Sequence, residues 1–209
     1  MECPLCGSPD SRDWFEDRRR PYLRCQQCQL VFVPPAYHLE PEQEKAEYDL
    51  HDNNPGDPGY RRFLSRLCQP LCERFPDPSR GLDFGSGPGP TLSLMLAEAG
   101  HGMAIYDPFY APDREVLEQD YDFITATEVV EHLRRPGREL ACLWSRLRPG
   151  GYLGIMTKLV KDREAFAGWH YKSDPTHICF FSRPTWQWWA DLQAAQLEFV
   201  ADDVILLQR

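Results

Sequence analysis

The stretch Leu82-Asp83-Phe84-Gly85-Ser86-Gly87-Pro88-Gly89 is an apolar strand running into a loop with glycine at every second position. The apolar residues from Thr91 to Ala99 follow at once and read as a short helix stopped by Gly100. That order sets bare backbone N–H groups and a helix N-terminus beside any small molecule over the strand end. A dinucleotide-binding loop closes on glycine or alanine at its sixth position. Here that position is Pro90, so the pattern is Gly85-x-Gly87-x-Gly89. Asp83, two residues before the first glycine, would face a pyrophosphate unfavourably but suits a ligand bearing an ammonium or sulfonium group. The next strand, His101 to Tyr106, ends at Asp107, 22 residues beyond Gly85, where such folds place a carboxylate on ribose hydroxyls.

Two further blocks follow in order, Tyr121 to Leu133 (YDFITATEVVEHL) and Leu147 to Thr157 (LRPGGYLGIMT). With LDFGSGPG and the acid after the second strand, they resemble the class I S-adenosylmethionine (SAM)-dependent methyltransferases from about Gly81 to the C-terminus. The resemblance implies an α/β, Rossmann-like sheet and SAM as cofactor. It implies Asp83, Phe84, Gly85, Gly87, Gly89, Tyr106, Asp107 and Glu128 as cofactor-binding residues. Only 13 residues separate Asp107 from Tyr121, and they are rich in proline and charge. They look unable to supply both a helix and a third strand, so the edge strand is expected to be missing. Asp120 is left as a weak candidate for the acidic contact to adenine.

If a helix begins near Glu128, then Glu128, Glu131 and His132 stand at i, i+3 and i+4 on one face. Their oxygen and nitrogen donors fit Mg²⁺, Mn²⁺ or Zn²⁺ better than a soft metal. Glu-x-x-Glu-His resembles the metal triad of ubiquinone-biosynthesis O-methyltransferases and of small-RNA 3′-end 2′-O-methyltransferases. The latter add a later histidine, for which His177 stands in a comparable place. The resemblance therefore implies Glu128, Glu131, His132 and His177 as ligands of a second metal. Relatives with the same pattern and no metal use the histidine as a base or to orient substrate, and both versions stay open. Either way His132, His177 and Glu131 are the catalytic candidates, acting on a nucleophile that must be positioned and deprotonated. Trp169 and Tyr171, in an aromatic stretch at the same sheet edge, are substrate-pocket candidates. Tyr48, His51 and Tyr60 are placed to close over the cofactor. Cys142 in an apolar helix and Cys179 in an apolar strand are not read as nucleophiles.

Upstream, Cys3-Pro4-Leu5-Cys6 and Cys25-Gln26-Gln27-Cys28 are two CxxC turns separated by 18 residues, a spacing that suits a tetrahedral S₄ site for structural Zn²⁺. A redox pair or a disulfide is the other reading of each turn. The segment is short for a core of its own, so metal would supply its folding free energy. From Met1 to Pro35 it carries five arginines (Arg12, Arg18, Arg19, Arg20, Arg24) against five acids. Four of these, Arg18, Arg19, Arg20 and Arg24, could form a phosphate-binding face. The zero balance weighs against a nucleic-acid footprint and favours a structural lid on the next domain.

The expected organisation is a zinc ribbon over 1–35, a connector over 36–59 and a methyltransferase domain over 60–209. In the last, Tyr60 to Phe75 reads as a helical stripe that Pro70 should kink or split, and Pro136-Gly137 as a break. The chain has 209 residues, 42% hydrophobic and 26% charged, with a net charge of −9, which weighs against broad nucleic-acid binding. No apolar run approaches the roughly 18–20 residues of a membrane span, and the N-terminus lacks the shape of a signal peptide, so a cytoplasmic place is expected. The leading function is O-methylation of a small hydroxylated substrate. The alternatives are a non-catalytic zinc-ribbon adaptor that keeps a SAM-binding fold, and an RNA 2′-O-methyltransferase.

Overall fold

The computed structural model describes residues 1–50 and 53–209. His51, expected near the cofactor, lies outside the described residues. The N-terminal segment forms strands β1 (Ser11–Glu16), β2 (Pro21–Cys25) and β3 (Val31–Phe32), each antiparallel to the next. A connecting helix α1 (Pro41–Tyr48) precedes α2 (Pro58–Arg74), whose first turn is capped by Asp57 accepting from Tyr60 N. The rest runs β4 (Arg80–Phe84), α3 (Thr91–Glu98), β5 (Gly102–Tyr106), β6 (Tyr121–Thr127), α4 (Pro136–Ser145), β7 (Leu147–Met156), α5 (Arg163–Ala167), β8 (Cys179–Phe180), α6 (Arg183–Gln193), β9 (Gln196–Ala201) and β10 (Val204–Gln208).

Six strands form the central sheet in the order β5-β4-β6-β7-β10-β9. The first four are parallel, and β10 enters antiparallel between β7 and β9. The parallel strands are mainly apolar, as strands buried on both faces are expected to be, with Asp83 and Thr125 as buried polar residues that pair with each other. Leu64, Leu67 and Leu71 of α2 and Leu92 and Leu96 of α3 pack on one face around Phe123 and Leu206. Leu140 and Leu143 of α4 with Trp186 and Trp189 of α6 pack on the other, with Ile124 and Leu153. Between Asp107 and Tyr121 the chain makes only an isolated bridge, Asp107 to Ala111, and one 3-10 turn. The edge strand is therefore absent, as the short spacing predicts.

One break expected from sequence does not occur. α2 runs unbroken through Pro70, which lies one turn from the helix end, so only the single bond to the Arg66 carbonyl is lost. The expected break at Pro136-Gly137 separates the Val130–His132 turn from α4, which starts three residues earlier than the expected Glu139, with Pro136 at the first helical position, where its missing N–H has no cost.

The cysteine-rich segment is not set apart from the sheet domain. β3 pairs antiparallel with β8, joining four strands in the order β1-β2-β3-β8. Tyr22, Leu30 and Phe32 are buried in the same cluster as Ile155, Phe166 and Trp186. At the Cys3–Cys6 turn, Gly137 N donates to Pro4 O over 3.3 Å, and a Cβ on Gly137 would lie 2.1 Å from Leu5 O. Glycine at this position is what allows the turn to rest on the start of α4. Apolar burial against the larger domain thus adds to whatever a metal contributes.

Candidate active site

The glycine loop wraps the end of β5. Gly85 N and Ser86 N donate to Tyr106 O over 2.7 and 3.2 Å, and Gly87 N donates to Asp107 Oδ2 over 3.0 Å. These amides are therefore not bare, as the glycine pattern alone suggests, because the end of the neighbouring strand supplies their acceptors first. Gly85 has φ +75°, and a Cβ there would lie 2.4 Å from Val129 Cγ2, so the loop tolerates no side chain at this turn. Asp107 Oδ1 accepts from Phe109 N and Tyr110 N over 2.8 and 3.0 Å, which fixes its carboxylate at the strand end.

Asp83 lies beneath the loop, 4% exposed and off the cavity wall, accepting from Thr125 Oγ1 over 2.8 Å. Burial pushes its carboxyl up to about 6, the Thr125 hydrogen bond only partly opposing. Gly89 is also off the wall, tucked under Asn53, whose carbonyl a Cβ on Gly89 would meet at 2.0 Å.

No helix begins at Glu128. That residue has φ +52°, Val129 is non-helical, and only Val130–His132 forms a 3-10 turn. The left-handed residue swings Glu128 away from the face it was expected to share. Glu131 turns inward with no exposure, while His132 faces the cavity. His177, brought in on the segment before β8, completes the group: Glu131, His132 and His177 each offer a ligand atom within 4.8 Å of the others. Glu128 stands outside this group. The His132 and His177 rings are 4.7 Å apart.

Backbone carbonyls set the tautomers. His132 Nδ1 lies 3.2 Å from Thr176 O, and His177 Nδ1 lies 2.7 Å from Tyr171 O. A carbonyl only accepts, so each Nδ1 carries its proton, and in the neutral ring Nε2 holds the lone pair. The same carbonyl-held arrangement is common for metal-ligating histidines. Tyr171 OH donates to Glu131 Oε1 and lies 3.3 Å from Glu128 Oε2. Burial raises the Glu128 carboxyl to about 7; burial and then the nearby Glu128 charge raise Glu131 to about 8. Glu128 Oε1 and Glu131 Oε2 are buried and accept no hydrogen bond.

Most of these groups border a cavity of about 1120 Å³, slightly above the range of about 300–1,000 Å³ usual for small-molecule sites. Phe84, Gly85, Gly87, Tyr106, Asp107 and Glu128 reach its wall on the loop side, and His132, Tyr171 and His177 on the other. Tyr48 and Tyr60 close it from α1 and α2, Tyr48 standing edge-on to His132 at 5.2 Å. Trp169 is off the wall; it packs among Phe166, Tyr171 and Phe180 in the core cluster. Asp120 is exposed and off the wall.

Several wall residues were not foreseen. Lys158 Nζ lies 3.1 Å from His170 Nε2, and Cys142 is partly exposed on the wall through one face of α4.

The four N-terminal thiols also converge. Cys3 Sγ lies 3.5 Å from Cys28 Sγ, and Cys6 Sγ lies 3.5 Å from Cys25 Sγ, all four within 4.8 Å of one another. None is in a disulfide, whose sulfurs would be about 2.0 Å apart. The phosphate-binding arginine face does not form. Arg20 is buried, and Arg19 Nη1 donates to Ser173 O over 2.6 Å.

A family model described as "Methyltransferase domain" matches residues 59–201, well over half of the chain. No curated protein sequence matches. Among solved structures the chain is similar to the Burkholderia thailandensis 1,6-didemethyltoxoflavin-N1-methyltransferase with bound 1,6-didemethyltoxoflavin and S-adenosylhomocysteine. That match has a TM-score of 0.55 at 14% identity and covers 96% of this chain and 99% of the other. A SAM-dependent methyltransferase from Archaeoglobus fulgidus matches with a TM-score of 0.55 at 16% identity, over 71% of this chain and 94% of the other. The plantazolicin methyltransferase BpumL, in complex with SAH, matches with a TM-score of 0.52 at 14% identity, over 83% and 93%. At such identities the likeness is one of fold. With the family match spanning the glycine loop, Asp107 and the Glu131–His132 turn, the chain belongs to the methyltransferase-domain family and is a methyltransferase on the fold of the SAM-dependent enzymes.

Proposed function

We propose that the chain transfers the methyl group of SAM to a hydroxyl oxygen of a small molecule, with Glu131, His132 and His177 serving the acceptor. The observation carrying this reading is the convergence of those three side chains, with His132 and His177 on the cavity wall and Glu131 buried directly behind them. SAM supplies an electrophilic methyl group on a sulfonium. The loop side fits it: Gly85 and Gly87 leave room for close approach, and Asp107 is held by three backbone N–H groups where a ribose would lie. Asp83 supports the loop from below. On the far wall, Nε2 of His132 or His177 takes the proton from the acceptor hydroxyl.

The same three residues fit a divalent cation. One carboxylate and two imidazoles with a side open to the cavity form a donor set for Zn²⁺, Mn²⁺ or Mg²⁺, and the buried Glu131 Oε2 has no other hydrogen-bond partner. A bound cation would lower the pKa of the acceptor hydroxyl. A second, structural Zn²⁺ fits the four thiols: tetrahedral Zn–S bonds of about 2.3 Å set sulfurs about 3.8 Å apart, close to the 3.5 Å pairs seen.

A small acceptor is favoured because α1 walls the cavity through Pro41, Glu44 and Tyr48. The RNA reading loses support because Arg19 and Arg20 are engaged with the protein's own carbonyls. The test is methyl transfer from labelled SAM to a panel of catechols, phenols, polyols and amines, with and without Mn²⁺. The reading expects label on oxygen, and Glu131→Ala and His177→Ala losing at least tenfold. Label confined to nitrogen acceptors would refute the hydroxyl assignment.

A further inference from the structure

We infer that Arg20, in the cysteine-rich segment, is a positioning residue for His177 on the opposite wall of the active-site cavity. The inference rests on the role proposed for His177 above. Arg20 is 6% exposed, yet no carboxylate forms an ion pair with it among the described residues. Its guanidinium is instead spent on backbone oxygens. Nη1 donates to Pro175 O over 3.0 Å, and Nη2 is shared among the carbonyls of Lys172, Asp174 and His177 at 3.0, 2.9 and 2.8 Å. Nε donates to Tyr22 OH over 3.2 Å. Four of its five acceptors belong to one six-residue loop more than 150 residues away in sequence.

That loop carries His177 and leads on from Tyr171. Its ribbon side is also held by Lys172 Nζ on Asp17 at 2.9 Å and by Val33 N donating to Ile178 O over 2.9 Å. Its other side meets the Glu131–His132 turn, where Ile178 N donates to Glu131 O over 2.8 Å and His132 Nδ1 meets Thr176 O. The loop is clamped between the two, and Arg20 gathers its carbonyls to one point. A planar fork of five donors can do this, and an ammonium cannot. The cysteine-rich segment is on this view part of the active site, because it fixes one side of the loop whose other contacts, Tyr171 O on His177 and Glu131 O on Ile178, come from the sheet domain.

The test uses the full chain with ¹⁵N-labelled histidine. The Nδ1–H of His177, buried and held to Tyr171 O, gives a slowly exchanging imidazole proton, assigned by its loss in His177→Gln. In Arg20→Gln and Arg20→Lys we expect this proton to exchange at least tenfold faster, with S-adenosylhomocysteine affinity changed less than twofold. Arg20→Lys keeps the charge and reads the same signal if Arg20→Gln fails to fold. An unchanged His177 signal in either folded variant overturns the inference. So does acceleration shared equally by the buried His101 with loss of S-adenosylhomocysteine binding, because that marks general loosening. Full methyl transfer by His177→Ala would remove the proposed role of His177 while leaving the hold of Arg20 standing.

Discussion

The Tyr171 hydroxyl sits between two buried carboxylates, donating to Glu131 Oε1 with Glu128 Oε2 3.3 Å away. One neutral donor thus keeps two acids of like charge within the same wall. Tyr171→Phe removes that donor, and we expect a stability loss of about 1–3 kcal/mol in urea unfolding. A change below about 0.5 kcal/mol would mean that the hydroxyl does not hold the pair.

Two other carboxylates set stability against pH in opposite directions. Burial pushes Asp17 up, but Lys172, the Arg19 and Arg20 amides and Tyr22 outweigh it and bring it down to about 2. Its native pKa lies below the unfolded value, so its stabilisation is complete above about pH 4 and is lost as pH falls towards 2. Asp83 is raised to about 6, so the native state binds the extra proton and stability declines as pH rises from about 4 to 6. Asp17→Asn should flatten the acid limb, and Asp83→Asn should make the decline between about pH 4 and 6 shallower while the share from Glu128 and Glu131, raised to about 7 and 8, remains, each seen in unfolding midpoints across pH 2–7. Both limbs surviving both substitutions would contradict the assignment.

At Gly85 a methyl group meets Val129 and an unfavourable φ together. Gly85→Ala should weaken S-adenosylhomocysteine binding about tenfold or more by calorimetry, the clash adding to a left-handed strain of about 1–2 kcal/mol. Adding Val129→Ala should recover part of that loss. No recovery would show that the clash with Val129 is not the cause.

The four thiols predict one zinc per chain by elemental analysis. Cys28→Ser should remove it and lower the melting temperature by about 10 °C, equivalent to about 3 kcal/mol in a chain of this size. Stoichiometric zinc retained in Cys28→Ser would place the metal elsewhere.

What was legible in the sequence lay in short-range spacing. The glycines with Asp107 behind them, the paired CxxC turns and the 13-residue gap that excludes an edge strand all depend on neighbours along the chain. Glu131 and His132 were named from their spacing, and His177, 45 residues further on, only from the family resemblance. The exclusion of Glu128 from their group follows from a positive φ at a non-glycine residue, which no side-chain pattern announces. Arg20 looked like a surface cation because its acceptors are carbonyls of a loop distant in sequence. Backbone oxygens carry no residue identity, so that contact left no signature to read. Trp169 belonged to an aromatic run in which His170 and Tyr171 reach the cavity and Trp169 does not, because Trp169 packs on Phe166 and Phe180.

On the proposed function, one cavity holds the cofactor along the glycine loop and presents His132 and His177, backed by the buried Glu131, to the acceptor. A crystal structure of the native protein soaked with S-adenosylhomocysteine tests it most directly. The account predicts density along Gly85 and Gly87, with the ribose on Asp107 and the sulfur facing the His132–His177 wall. Density elsewhere, or none at millimolar ligand, would contradict it.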